Sequence, residues 1–172
     1  MSIYKNLTSK SQKLSVIGLG YVGLPIALEF AKKFSVIGFD INARRVELMK
    51  KGIDPSKELS TENFKNVDIQ FTSNIDDLKK ASFHIVAVPT PIDKNNLPDL
   101  TILKSASEIV GKIISKGDYA VFESTVFPGA TEDICVPIIE KVSGLKFISD
   151  FKIGYSPERI NPAIKCILSQ ML

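Results

Sequence analysis

Gly18, Gly20 and Gly23 stand in G-x-G-x-x-G spacing between the apolar run Leu14-Ser-Val-Ile17 and a helix-like run beginning at Leu24. That spacing suits a phosphate. The first glycine permits the tight turn out of a strand, the second lets backbone approach a pyrophosphate, and the third lets the helix pack closely on the strand. A helix opening there offers unpaired N–H groups and a positive dipole end to the anion, and Pro25 fits its first turn because the missing N–H has no helical partner in any case. Asp40 closes a second apolar run, Phe34-Ser-Val-Ile-Gly-Phe39, and lies 22 residues beyond Gly18. A carboxylate at that distance can accept both ribose hydroxyls of a dinucleotide. It would meet the 2′-phosphate of NADP with like charge, which favours NAD, while Arg44 and Arg45 close behind leave NADP open. The bland alternative makes Asp40 a strand-end turn residue, but glycines, strand order and acid spacing would then have to coincide by accident.

Three further polar clusters follow apolar runs: Val88-Pro-Thr90-Pro91, Glu123-Ser124-Thr125 and Ser156-Pro-Glu158-Arg159. In a doubly wound sheet the ligand lies across the carboxyl ends of the strands, so these clusters and Asp40 fall on one edge. A single Ser or Thr there serves as readily to cap a helix; the group marks a site. Cys135 and Cys166 are 31 residues apart, without C-x-x-C spacing and without histidine neighbours. They read as free thiols, with no metal site and no disulfide framework. The single histidine, His84, sits inside an apolar run with neither a nucleophile nor an acid partner in view, and reads as a packed core residue.

The elements that must position these residues follow from periodicity. Strands are expected at Lys13–Ile17, Phe34–Asp40, Ile69–Thr72, Phe83–Val88, Tyr119–Glu123 and Phe151–Tyr155. Phe83–Val88 is almost continuously apolar, as in a strand buried on both faces. Leu24, Ala27, Leu28 and Ala31 recur at helical spacing, and Asn42 can cap a helix running to Lys51 with Val46 and Met49 inward and Gly52 at its end. Short helices fit Thr61–Lys65 and Ile75–Lys80. Asp99 can cap a long helix whose inner face is Leu103, Ala106, Val110 and Ile113, and a helix over Thr131–Val142 should be kinked or interrupted by Pro137. Alternation of strand and helix predicts an α/β, Rossmann-type doubly wound fold with a mainly parallel sheet.

A chain of 172 residues, 44% hydrophobic and 24% charged, suits one globular domain. The net charge of +3 is spread over 22 basic and 19 acidic residues with no basic stripe, which argues against a nucleic-acid partner. Met1–Gln12 is polar with no apolar signal-like core, and no run is long enough to span a bilayer, so no membrane role and a cytoplasmic location are expected.

As a set, Gly-Leu-Gly-Tyr-Val-Gly-Leu-Pro at 18–25, Gly-Phe-Asp-Ile-Asn at 38–42, Val-Pro-Thr-Pro-Ile at 88–92, Glu-Ser-Thr-Val-Phe-Pro-Gly at 123–129 and Gly-Tyr-Ser-Pro-Glu-Arg-Ile-Asn-Pro at 154–162 resemble one family. It is the N-terminal domain of the UDP-glucose/GDP-mannose dehydrogenases, closest to the UDP-N-acetylhexosamine 6-dehydrogenases of capsule and O-antigen synthesis. The resemblance implies that Tyr21 and Val22 contact the NAD pyrophosphate through backbone, Asp40 the adenine ribose and Arg45 the adenosine side. Thr90 and Thr125 would line the nicotinamide pocket, Glu158 would assist a water-mediated step, and Arg159 and Ile160 would touch the UDP-N-acetyl sugar, UDP-GlcNAc or UDP-GalNAc. Two NAD-dependent hydride transfers would take the sugar C6 alcohol to a carboxylate, with a cysteine thiolate holding the aldehyde. Complete members of the family form dimers through a central helix. The expected organisation is therefore a flexible leader over 1–12, an NAD-binding domain over 13–162 and a departing tail over 163–172. That tail has no counterpart of the family's Gly-Gly-His-Cys nucleophile motif, which suggests a truncated, catalytically inactive chain, and neither position nor neighbours make Cys166 that nucleophile.

Overall fold

The computed structural model describes residues 3–92, 94, 97–124 and 126–156. Its elements run α1 (Ile3–Thr8), β1 (Lys13–Ile17), α2 (Gly23–Ala31), β2 (Val36–Phe39), α3 (Ala43–Lys50), β3 (Ile69–Thr72), β4 (Ala81–Val86), α4 (Thr101–Ile113), β5 (Tyr119–Phe122), α5 (Val136–Ser143) and β6 (Lys152–Tyr155). The six strands form one sheet in the order β3-β2-β1-β4-β5-β6, and every pairing is parallel. The order reverses between β1 and β4, where a ligand crevice opens.

Alternate side chains of β1, β2 and β4 feed two cores. Val16, Val36 and Ile85 pack with α2 and α3 on one face; Ile17, Ile37 and Val86 pack with α4 and α5 on the other. Burial on both faces is why β1, β2 and β4 read as largely apolar runs. Asn42 caps α3 by accepting from the N–H groups of Arg44 and Arg45, and the inner-face residues expected for α3 and α4 are all buried.

Two local features differ from expectation, and a third, at Pro137, meets it in a particular form. Residues 3–12, within the expected leader over 1–12, are not loose in the structure, because α1 buries Leu7 in the core and sets Tyr4 edge-on to Phe34 at 6.4 Å. A helix of six residues has too few turns to show a period in sequence. β4 runs from Ala81 to Val86, two residues earlier at each end than the apolar run, with the Ala87 N–H still reaching the Ile17 carbonyl at 2.9 Å. The interruption expected near Pro137 takes the form of a wide turn over Thr131–Cys135, in which the Val136 N–H reaches back five residues to the Thr131 carbonyl. Widening accommodates a proline that lacks a donor and would otherwise press on the carbonyl four residues earlier.

Candidate functional site

Three glycines shape the turn between β1 and α2 in three different ways. Gly18 has φ +92°, and a Cβ there would lie 2.7 Å from the Ala87 carbonyl oxygen. At Gly23 a Cβ would fall 1.8 Å from the Gly18 oxygen, so the helix can approach the strand only without one. Around Gly20 a Cβ would meet nothing within 4 Å, which leaves its backbone facing open space. That difference separates two glycines that close packing requires from one whose backbone is left open. Val22 opens α2 without any side-chain cap, so the dipole end of the helix faces the crevice beside Tyr21, which is half exposed.

Asp40 leaves β2 with its carboxylate held by backbone: Oδ1 accepts from the Asn42 N–H at 2.8 Å and Oδ2 from the Leu19 N–H at 3.2 Å. A carboxylate has acceptor sites to spare beyond two such bonds. Arg45 lies alongside, its Nε 3.8 Å from Asp40 Oδ2 and its Nη2 donating to the Leu19 carbonyl at 3.0 Å. Beside Asp40 an apolar slot of about 330 Å³ is lined by Leu19, Ile41, Val88, Ile102 and Ile109. Flat apolar walls with one convergent carboxylate suit a nucleoside.

A second cleft of about 130 Å³ shares Gly20, Ala87, Val88 and Pro89 with the first and continues past Tyr21 to Thr90, Glu123 and Ser124. Thr90 Oγ1 is buried there with no hydrogen-bond partner among the described residues. Facing a cleft, such a hydroxyl is free to bond a polar group that enters it. Ser124 does not cap a helix but donates to the Val88 carbonyl at 2.9 Å, clamping the exits of β4 and β5 together. Glu123 Oε1 accepts from Ser156 Oγ at 3.3 Å, so the β6 exit joins the same edge.

The structure thus brings Gly18, Gly20, Tyr21, Val22, Gly23, Asp40, Arg45 and Thr90 together at one sheet edge. Thr125, Glu158, Arg159, Ile160 and Cys166 lie outside the described residues. Cys135 is fully buried, and burial raises its thiol above the ordinary range, so it is no nucleophile. His84 is a fully buried core residue, as expected, but it has neighbours: Ser15 Oγ lies 2.7 Å from Nδ1, while Asp118 Oδ2, 3.8 Å from Nε2, stands beyond hydrogen-bond reach. Ser15 comes from β1 and Asp118 precedes β5, contacts that only the strand order creates. With Ser15 and His84 sealed from solvent, the trio admits no substrate.

Residues 12–167 match the UDP-glucose/GDP-mannose dehydrogenase family, NAD binding domain. The chain belongs to that family. As its NAD-binding domain, it is similar to Protein CapL of Staphylococcus aureus, at 56% identity over 90% of this chain, and to the UDP-N-acetyl-D-glucosamine 6-dehydrogenase of Pseudomonas aeruginosa, at 54% over 91%. The chain spans 37% of the length of each of these relatives. Among solved structures, an NDP-N-acetyl-D-galactosaminuronic acid dehydrogenase from Methanosarcina mazei aligns with TM-score 0.82 at 30% identity, covering 94% of this chain and 38% of that one. A ternary complex of GDP-mannose dehydrogenase from Pseudomonas aeruginosa aligns with TM-score 0.80 at 28% identity over 86% of this chain and 36% of that one.

Proposed function

We propose that this domain supplies the cofactor half of a UDP-N-acetylhexosamine 6-dehydrogenase acting in bacterial polysaccharide synthesis. The observation that carries the reading is the edge itself, where an open Gly20, a backbone-held Asp40 and an unpartnered Thr90 hydroxyl follow one crevice. NAD, when bound, supplies the hydride acceptor, and alcohol-to-carboxylate oxidation consumes two per sugar. The backbone at Gly20, Tyr21 and Val22 would hold its pyrophosphate, Asp40 the adenine ribose, and Arg45 the adenosine side. Thr90 and Thr125 would orient the nicotinamide end. Glu158 would assist the water step, and Arg159 and Ile160 would meet the UDP-GlcNAc or UDP-GalNAc substrate.

A second reading, NAD binding without turnover of its own, is supported for these 172 residues assayed in isolation, because their sequence contains no Gly-Gly-His-Cys and Cys135 is buried. On that reading the isolated chain binds NAD(H) yet turns over neither UDP sugar, since covalent capture and substrate orientation are lost. Sustained NADH production by the isolated chain would exclude it.

A chimera tests the main reading. Residues 12–167 would replace the matching segment of the Pseudomonas aeruginosa UDP-N-acetyl-D-glucosamine 6-dehydrogenase, and NADH absorbance would be followed with each UDP sugar. Two NADH per UDP-N-acetyl sugar is the expected result. A folded chimera that binds NAD but oxidises neither sugar would contradict it.

A further inference from the structure

Beside the adenosine end of the crevice, the loop between α3 and β3 is knotted around one buried carboxylate. Asp54 is 6% exposed, its Oδ1 accepting from the Ser56 N–H at 2.8 Å and its Oδ2 from the N–H groups of Glu58 and Leu59, each at 2.9 Å. The knot forces Lys57 into the left-handed region, at φ +58°. It also delivers Ser56 Oγ to Arg45, whose Nη2 donates to it at 3.2 Å while donating to the Leu19 carbonyl at 3.0 Å. With Nε 3.8 Å from Asp40, Arg45 is tethered on three sides.

An arginine beside the ribose is the usual means of accepting the 2′-phosphate of NADP, and one stands here next to the carboxylate that repels it. We propose that Asp54 and Ser56 are positioning residues for cofactor choice: the knotted loop pins the Arg45 guanidinium against the Leu19 carbonyl and Asp40, and so withholds it from a 2′-phosphate. Neither residue needs to touch the cofactor. Asp54 sets the loop, the loop sets Ser56, and Ser56 fixes the direction of the guanidinium. With that hydrogen bond removed, the long side chain regains rotamers in which its donors face the ribose 2′ position.

The inference rests on NAD binding at the Asp40 edge. Its test is calorimetric titration of NAD and of NADP into the wild-type chain, Ser56→Ala, Ser56→Thr and Asp54→Asn, with thermal midpoints measured alongside. Ser56→Ala should narrow the NAD-over-NADP affinity ratio by about threefold to tenfold, the worth of one hydrogen bond. Ser56→Thr should restore the ratio, because it keeps the hydroxyl. Asp54→Asn presents an amide to N–H groups that need an acceptor, and should narrow the ratio at least as far while lowering the midpoint. Should Asp54→Asn fail to fold, Ser56→Ala decides, since Ser56 is exposed and its backbone bond to Asp54 survives the change. An unchanged ratio in Ser56→Ala, whatever the midpoints, overturns the inference and leaves the cofactor reading standing. A wild-type chain that binds neither nucleotide overturns both.

Discussion

Gly20 and Gly23 are three residues apart, and a side chain at each would be refused by a different party. At Gly23 the refusal comes from the protein: the Cβ of Gly23→Ala would lie 1.8 Å from a backbone oxygen. That variant should lose about 3 kcal/mol or more in urea unfolding, because backbone on both sides leaves little room to relax. At Gly20 nothing in the chain objects, so Gly20→Val should unfold near the wild-type midpoint yet lose NAD binding in calorimetry. Normal binding by that folded variant would make the turn structural only. Asp40→Ala should weaken NAD by about tenfold or more, the scale of hydrogen bonds to a charged group, and should bring NADP closer to parity. The positions behind these proposed roles are legible in the sequence because the G-x-G-x-x-G spacing and the acid after the second strand are local. The neighbours of His84 and the tether on Arg45 are not, since Ser15, Asp118 and Ser56 reach them only through strand order and loop closure; the turn-forming Asp54-Pro-Ser56 is the one signal available.

Elements were readable where burial imposes a period, and hard to read where it does not. β1 emerged with its bounds intact, and the α3 cap at Asn42 held, because a strand buried on both faces and an N-cap asparagine each leave a strong local mark. α1 leaves none, yet it is fastened: Leu7 enters the core, and Lys10 donates to Asp68 at 2.6 Å while Ser35 Oγ donates to the same carboxylate at 2.7 Å. Leu7→Ala should cost about 2 kcal/mol in thermal or urea unfolding; no loss would mean that α1 is detached in solution. The bond from Lys10, then that from Ser35, hold the Asp68 carboxyl below its ordinary value. A depressed folded-state value means stability that is present above the unfolded carboxylate range near about 4 and lost as pH falls through the lower folded value. Asp68→Asn should therefore shrink the fall in thermal midpoint between pH 6 and pH 3, by a small amount because the pair is half exposed to solvent. An acid response identical to wild type would show the contact to be without weight.

At the scale of the molecule, a parallel sheet in the order β3-β2-β1-β4-β5-β6 collects at one edge the residues that the sequence scatters from Gly18 to Ser156. The crevice lies where neighbouring crossovers leave on opposite faces, and both clefts share its wall of Gly20, Ala87, Val88 and Pro89. Sequence alone could place the strand ends but not the continuity of that wall, which depends on Ser124 tying β5 to the Val88 carbonyl. Among the described residues no helix is long and apolar enough to cross a membrane. The most direct test of the account is a calorimetric titration of NAD and of NADP into the wild-type chain. A single saturable NAD site, tighter than NADP and lost in Gly20→Val, is the result it predicts. NADP binding more tightly than NAD, or no binding of either by a folded chain, would contradict it.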